Sequence, residues 1–186
     1  MKSFRTLLAG LALLLSIPAA QAACEDWWAG FDTACSKVSQ IWNQGNNGLL
    51  VSGYAYHARW QYTPEKLAEL NEFAYGGGFE KHITHENGNE ESLFFFVFAD
   101  SHEDPQFNLG YMWMPYWKVA GDFQLGAGLS GGLVSRTDIF NGIPFPVILP
   151  MVSAKFSPIT LYTTYIPSLG GVNNGSVIYT YGRIEF

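Results

Sequence analysis

The last eleven residues constrain the fold more than any other segment. In an extended strand they place on one face Ile178, Thr180, Gly182, Ile184 and Phe186, and on the other Tyr179, Tyr181, Arg183 and Glu185. This alternation, ending on an aromatic residue, is typical of the closing strand of a bacterial outer-membrane β-barrel. The rest of the sequence agrees, because aromatic residues make up 16% of it and no uninterrupted apolar run reaches the length of a membrane-spanning helix.

Residues 1–22 predict a signal peptide. Lys2 and Arg5 precede an apolar stretch, and Ala20-Gln21-Ala22 offers small residues at both positions that define cleavage. We therefore expect one mature domain, residues 23–186, with a helix at about 25–44 and a barrel at about 50–186. Cleavage leaves 8 of the 10 basic residues against 16 acidic ones, a net charge of about −8. A chain this acidic is not expected to bind nucleic acid.

Export would place Cys24 and Cys35 in an oxidising compartment, where a disulfide can form. On one continuous helix their Cα atoms would lie ~16 Å apart, which is too far for a disulfide. The spacing therefore argues against a bridge, although unwinding near Cys24 would permit one. Cys24 also resembles a lipoprotein site, but Gln21 stands where such sites prefer an aliphatic residue.

Apolar residues recur at helical spacing between Asp26 and Gln44 and predict an amphipathic helix. They are Trp27, Trp28, Phe31, Ala34, Cys35, Val38, Ile41 and Trp42. Such a helix fits either packing on a soluble core or lying at a membrane interface. The three tryptophans and the export signal favour the interface.

From Leu49 onward the periodicity changes to two, and turn-rich segments separate eight predicted strands. The strands are predicted at 50–62, 72–84, 91–100, 107–118, 122–137, 146–156, 158–167 and 176–186. The predicted fold class is therefore all-β, an eight-stranded antiparallel transmembrane β-barrel with an N-terminal amphipathic α-helix. The connection 63–71 and the acidic segment 101–106 fall on the same rim, which we expect to be the outer one.

The predicted interior is dry and locally empty. Both faces of 91–100 are apolar, unlike the polar lumen of a water-filled pore. In 122–137 one face is bulky and the other carries Gly126, Gly128, Ser130 and Gly132, so bulky residues facing lipid would leave space inside. A barrel of this size can hold one slender ligand, and we expect an acyl chain.

Four prolines bracket or interrupt two neighbouring strands: Pro144, Pro146, Pro150 and Pro158. Because proline cannot donate to the β-ladder, hydrogen bonding between these strands should be broken locally. The prolines fit either strand ends and turns or a lateral slot for a lipid tail, and their spacing leaves both open.

His57 and the pair Asp100-Ser101 should meet at the outer rim, because the first and third strands run the same way. They could carry acyl transfer, with histidine as general base, aspartate as its partner, and serine as nucleophile or hydrogen-bond donor. The pattern alone is weak, since such residues occur on many surfaces. His82 and His85 have a spacing compatible with a metal, but no further ligand is fixed, so no metal site is predicted.

The sequence resembles the lipid A palmitoyltransferases of the outer membrane, the PagP family, loosely over the helix and closely over residues 56–186. The matching motifs are His57-Ala58-Arg59, Gly76-Gly77-Gly78-Phe79, Asp100-Ser101, Gly110-Tyr111, Ile143-Pro144-Phe145-Pro146-Val147-Ile148-Leu149-Pro150, Tyr165-Ile166-Pro167, Asn173-Asn174-Gly175, and Arg183 near Phe186. The resemblance implies a monomeric outer-membrane enzyme that transfers an acyl chain from the sn-1 position of a phospholipid to a hydroxyacyl chain of lipid A, without metal or cofactor.

The same resemblance implies that His57, Asp100 and Ser101 are the catalytic positions and that Pro144 belongs to a lateral gate. In this interpretation neutral His57 takes the proton of the acceptor hydroxyl while Asp100 orients the imidazole. A small barrel that binds lipid or anchors surface loops without catalysis would have the same architecture, and it stands as the alternative.

One position departs from the family pattern. Members that transfer palmitate carry Gly-Tyr-Gly-Trp at the pocket floor, whereas this chain has Gly110-Tyr111-Met112-Trp113. Alternation places Met112 inside the barrel. Its side chain should shorten the pocket by the length of several methylenes. Each methylene of a donor chain contributes ~0.8 kcal/mol when it is buried, so we predict a donor chain shorter than palmitate. The methionine side chain is flexible, however, and if it folded aside the pocket would regain its full length.

Overall fold

The computed structural model describes residues 29–169 and 175–186. The predicted signal peptide 1–22, Cys24 and the start of the predicted helix lie outside the described residues. The helices are α1 (Ala29–Gln44) and α2 (Pro64–Ala68), with one 3₁₀ turn at Phe140–Gly142. The strands are β1 (Asn46–His57), β2 (Gly76–Thr84), β3 (Glu90–Ala99), β4 in two segments (Pro105–Met114 and Tyr116–Ala120), β5 (Phe123–Ser135), β6 (Phe145–Phe156), β7 (Ile159–Ile166) and β8 (Val177–Glu185).

The strands form a closed antiparallel barrel in which each pairs with its chain neighbours and β1 pairs with β8. Pro115 interrupts β4 because it has no amide hydrogen to donate. Both segments nevertheless pair with β5 in one register, with Met112 opposite Ser130 and Tyr116 opposite Gly126. They are therefore one strand, and the prediction of eight strands in a closed barrel is confirmed.

Helix α1 joins β1 through a single residue, Gly45. A Cβ there would lie 2.4 Å from the carbonyl oxygen of Ile41, so the tight junction requires glycine. Ile41 is buried, and Lys37 Nζ lies 2.6 Å from Glu91 Oε1 on β3, which together hold α1 against one end of the barrel. Trp42 is exposed on the opposite side of the helix.

Cys35 in α1 is disulfide-bonded, against the expectation from spacing. That expectation assumed one continuous helix from Cys24 to Cys35, and the described helix covers this stretch only from Ala29 onward.

The outer face of the barrel is apolar around its circumference. Aliphatic side chains are exposed near the middle of the strands, among them Val51, Leu109, Leu129, Ile148 and Val152. Exposed aromatic side chains lie nearer the two ends, among them Phe73, Tyr75, Phe107, Trp113, Trp117 and Phe156. Lipid-facing barrels present this pattern of an aliphatic band between aromatic girdles. Neither α1 nor α2, the helices of the described ranges, is long and apolar enough to cross a membrane.

The interior is divided into two layers. The layer toward the C-terminal end of β1 is mainly apolar and includes Leu50, Phe96, Phe98, Met112, Met151, Tyr179 and Tyr181. The layer nearest α1 contains buried charges: Arg183 Nη1 lies 2.7 Å from Glu80 Oε1, and Lys155 Nζ lies 2.8 Å from Glu90 Oε2. The first layer thus has the apolar side chains that were expected of the interior, whereas the charged second layer was not predicted.

Candidate functional site

His57 and Ser101 meet at the mouth of the barrel. His57 is the last residue of β1, and Ser101 follows the end of β3, which runs in the same direction. His57 Nε2 lies 2.8 Å from Ser101 Oγ. The connection before β2 supports this loop, because Asn71 N donates to the carbonyl oxygen of Ser101 at 2.9 Å. The structure therefore brings the histidine and the serine into direct contact.

The other ring nitrogen of His57, Nδ1, contacts a glutamate. Glu72 Oε1 lies 3.2 Å from His57 Nδ1 and accepts a hydrogen bond of 3.0 Å from the His57 backbone amide. A carboxylate can only accept, so this contact assigns the ring proton to Nδ1 and leaves the lone pair of Nε2 toward Ser101. Hydroxyl, imidazole and carboxylate in this order allow a histidine to act as a general base.

Glu72 is fixed by two further side chains. Arg59 donates one hydrogen bond of 2.7 Å to each carboxylate oxygen, and the Tyr54 hydroxyl donates to Oε2. Burial opposes ionisation, but the hydrogen bonds from Arg59, Tyr54 and His57 outweigh it and lower the pKa of Glu72 to about 2. Glu72 is therefore a carboxylate at neutral pH.

Asp100 does not occupy the position expected for it. Its Oδ1 accepts hydrogen bonds from the backbone amides of His102 at 2.8 Å and Asp104 at 3.0 Å, and its Oδ2 lies 3.2 Å from Arg136 Nη2. The short aspartate side chain thus closes its own turn, as Asp commonly does. The expectation that Asp100 orients the imidazole is corrected, since Glu72 makes that contact and Asp100 shapes the turn that presents Ser101.

Sequence reasoning missed Glu72, although the sequence contained a signal for it. An antiparallel hairpin brings the start of its second strand beside the end of its first. Glu72 opens the predicted second strand, 72–84, and His57 lies near the end of the predicted first strand, 50–62. An acidic residue at that position was therefore a candidate partner for the histidine.

At the site lies a cavity in two neighbouring parts. Its outer part, about 180 Å³, is lined by His57 and Ser101 among others. Its inner part, about 70 Å³, is lined by residues that include Phe96, Met151 and Tyr181. The two parts share the lining residues Phe98, Gln106, Ile166 and Tyr179. The two parts are therefore neighbours, and the inner one lies deeper in the barrel than His57.

Met112 lies just below this cavity. Its cross-strand partner on β5 is Ser130, which is the deepest β5 residue in the cavity lining. On β3 the lining ends at Phe94, one inward-facing residue above Ser92, the partner of Met112. The buried methionine side chain is thus in place to form a floor.

Pro144 is exposed immediately before β6, where the barrel wall is discontinuous. The β6–β7 ladder reaches only from Phe156–Ile159 to Met151–Thr164, whereas β6 stays paired with β5 up to Phe145. Two of the four prolines that were expected to interrupt hydrogen bonding, Pro146 and Pro150, lie within the stretch of β6 that pairs on one side only. The gap borders the inner cavity, because Leu149 and Ile166 line it.

Comparison with known proteins agrees with this architecture. Residues 37–183, which include His57, Ser101 and all but the ends of the barrel, match the family described as antimicrobial peptide resistance and lipid A acylation protein PagP. The chain belongs to the PagP family. The resemblance noted from the sequence motifs is confirmed.

Individual PagP proteins are similar over most of their length. The chain is 44% identical over 173 residues to the lipid A acyltransferase PagP of Bordetella parapertussis, covering 93% of this chain and 94% of that protein. A protein of the same name from Legionella pneumophila is 36% identical over 162 residues, 87% and 86% of the two chains. Another from Legionella longbeachae is 35% identical over 165 residues, 88% and 71% of the two chains.

Proposed function

We propose that this protein is an outer-membrane acyltransferase that moves a fatty acyl chain from the sn-1 position of a phospholipid to a hydroxyacyl chain of lipid A. Membership of the PagP family and the names of its relatives support the reaction class. The observation that carries the proposal is the pair of neighbouring cavities, one at the His57–Ser101 contact and one deeper in the apolar interior. It provides room for a lipid tail beneath a general base.

The donor tail lies in the inner cavity, with its ester beside His57 and its headgroup outside the mouth. The gap between β6 and β7, next to Pro144, is the proposed lateral gate through which the tail enters from the bilayer. This path keeps the tail in contact with apolar surface throughout, since Leu149 and Ile166 at the gap also line the cavity.

The proposed chemistry is a direct transfer. The acceptor hydroxyl attacks the ester carbonyl carbon while His57 Nε2 takes its proton, and the Ser101 hydroxyl donates to the carbonyl oxygen as negative charge develops there. The bond from the carbonyl carbon to the glycerol oxygen then breaks, and His57 returns the proton to that oxygen. The products are acylated lipid A and a lysophospholipid, and only protein side chains take part.

The outer surface and the closed sheet support the location and the oligomeric state. A band of exposed aliphatic residues between aromatic girdles suits the outer membrane. Because the sheet is closed, each strand has two neighbours within the chain, and the start of β6, a described stretch that pairs on one side only, is interrupted by Pro146 and Pro150. We therefore propose that the protein acts as a monomer.

The alternative, a barrel that binds lipid without catalysis, does not account for the contacts of His57. A passive lipid site has no need of an imidazole held between a carboxylate and a hydroxyl. The proposal therefore favours catalysis over binding alone.

Mass spectrometry of lipid A from cells with and without this chain tests the proposal, because it reports the activity, the acceptor and the length of the added chain together. The intact protein should add one acyl chain, and the His57→Ala variant should insert into the membrane without adding it. His85→Ala, at the opposite end of the barrel, is the matched control and should remain active. A His57→Ala protein that inserts and still transfers at the full rate would overturn the proposal.

A further inference from the structure

The motifs shared with the PagP family suggest Asp100 as the partner of the His57 ring, but in the structure Glu72, which lies outside those motifs, contacts the Nδ1 atom. We propose that Glu72 is the positioning residue of the site: it holds His57 in the tautomer that directs the Nε2 lone pair at the reacting hydroxyl, and it stabilises the imidazolium that forms during transfer. This inference deepens the proposed function and rests on it.

Two contacts from one oxygen fix the histidine. Glu72 Oε1 contacts both the backbone amide and the ring of His57, so it restrains the end of β1 and the side chain together. Tyr62 packs edge-on against the imidazole, with ring centroids 5.3 Å apart and planes at 90°. Rotation of the ring away from Ser101 would break the contact with Glu72 and disturb that packing.

The carboxylate is in turn held in a single orientation. The Arg59 guanidinium engages both oxygens in a bidentate pair, which is the geometry that positions a carboxylate most firmly. Arg59 also lies over the Tyr56 ring at 4.8 Å from its centroid. Asp100 is not available as a substitute, because its oxygens are engaged by backbone amides of its own turn and by Arg136.

The negative charge of Glu72 matters most when His57 takes a proton during transfer. In the resting site Glu72 and Arg59 balance each other, and the new positive charge on the imidazole then faces a negative oxygen at hydrogen-bond distance. In Glu72→Gln the side chain keeps its shape but loses its negative charge. Its amide group can also donate to Nδ1, which favours the His57 tautomer with the proton on Nε2. Glu72 is absent from the lining of the cavity, so its loss should lower kcat while leaving KM nearly unchanged.

The test uses the purified full-length protein in detergent micelles with phospholipid and lipid A. Glu72→Gln should reduce kcat by about 10²- to 10⁴-fold, the range seen when a histidine loses its orienting carboxylate. Glu72→Asp should recover part of the rate because it restores the charge. Glu69→Gln changes an exposed glutamate on the same connection and should retain the wild-type rate.

A second measurement does not depend on turnover. Nitrogen-15 NMR of labelled histidine should show the His57 proton on Nδ1 in the wild type and a shift toward Nε2 in Glu72→Gln, with circular dichroism confirming that both are folded. Wild-type kcat and an unchanged tautomer in Glu72→Gln would overturn the inference while leaving the proposed function intact. A wild-type protein that transfers no acyl chain would instead remove the proposed function, and the NMR result would still decide whether Glu72 sets the tautomer.

Discussion

Met112 on β4 lies directly opposite Ser130 on β5, at the depth where the inner cavity ends. Above this pair the two strands contribute little side-chain volume to the interior, because Gly110 and Gly132 face each other there. Met112 is therefore the first bulky inward side chain on β4 below the cavity, and this position predicts that it limits how far an acyl tail can enter.

Replacing Met112 by glycine should lengthen the donor chain that the protein prefers. Each additional buried methylene stabilises the bound donor by ~0.8 kcal/mol, which corresponds to about a fourfold preference per carbon. Competition between phospholipids with different sn-1 chains, followed by mass spectrometry of lipid A, measures the change. Met114→Gly is the control, because it removes a buried methionine below an intact Met112 and should leave chain length unchanged. Identical selectivity for donor chain length in wild type and Met112→Gly would show that Met112 does not form the floor of the acyl cavity.

Closing the gap between β6 and β7 should stop transfer. Continuing the register beyond Met151–Thr164 places Leu149 opposite Ile166, so cysteines at these two positions should form a disulfide across the gap. We expect the oxidised Leu149→Cys/Ile166→Cys protein to lose activity and a reductant to restore it. Cysteines at Ala154 and Leu161 bridge the same strands where the ladder is intact, and this control should be active in both states. Full activity of a completely oxidised Leu149–Ile166 pair would exclude lateral access at this gap.

Removing Arg183 should destabilise the barrel. Its guanidinium is fully buried and contacts both Glu80 and Glu90, so Arg183→Met removes the cation beside Glu80 and leaves Glu90 with Lys155 alone. Breaking a buried ion pair in this way costs about 3–5 kcal/mol of unfolding free energy. Denaturant titration in micelles measures the loss, and adding Glu80→Gln to Arg183→Met should restore part of it.

The control for this prediction is Lys118→Met. Lys118 is an exposed cation in the middle of the second β4 segment, and its replacement should change the unfolding free energy by about 0.5 kcal/mol or less. Equal losses for Arg183→Met and Lys118→Met would show that burial of the charge is unimportant.

Stability should depend on pH through Glu72. Its pKa falls from an ordinary value of 4.5 to about 2 in the folded protein, so between these values the unfolded chain binds more protons than the folded one. The stabilisation is complete above about pH 5 and is lost as pH falls toward 2. The difference in unfolding free energy between wild type and Glu72→Gln should therefore be largest near neutral pH and close at about pH 2. A difference that stays constant over this range would contradict the assigned role of the Arg59–Glu72 pair.

Much of the barrel could be predicted because the period of two is a local property of the chain. The small inward face of β5 was predicted, and alternation also placed the tyrosines of β8 together on one face, which the structure shows to be the inward one. The meeting of His57 and Ser101 also follows, since alternate antiparallel strands end at the same rim. Helix α2, capped by Thr63, was missed because five helical residues are too few for a periodic signal.

The contacts that depend on register could not be predicted in the same way. The choice of Glu72 over Asp100 as the partner of His57 is decided by how the loops at the rim fold over each other. The charged layer of Glu80, Glu90 and Arg183 is assembled from three strands that are distant in sequence. A pattern of alternation assigns a charged residue to a face, but it does not say which opposite charge will lie beside it.

The buried charges at the α1 end also bear on the permeability of the bacterial envelope. At that end of the cylinder, Arg183 and the carboxylates of Glu80 and Glu90 occupy the described interior as a buried, paired cluster where an open channel would need free space. In the proposed outer-membrane setting, such a barrel takes a lipid tail into its upper half without opening a pore for antibiotics and ions.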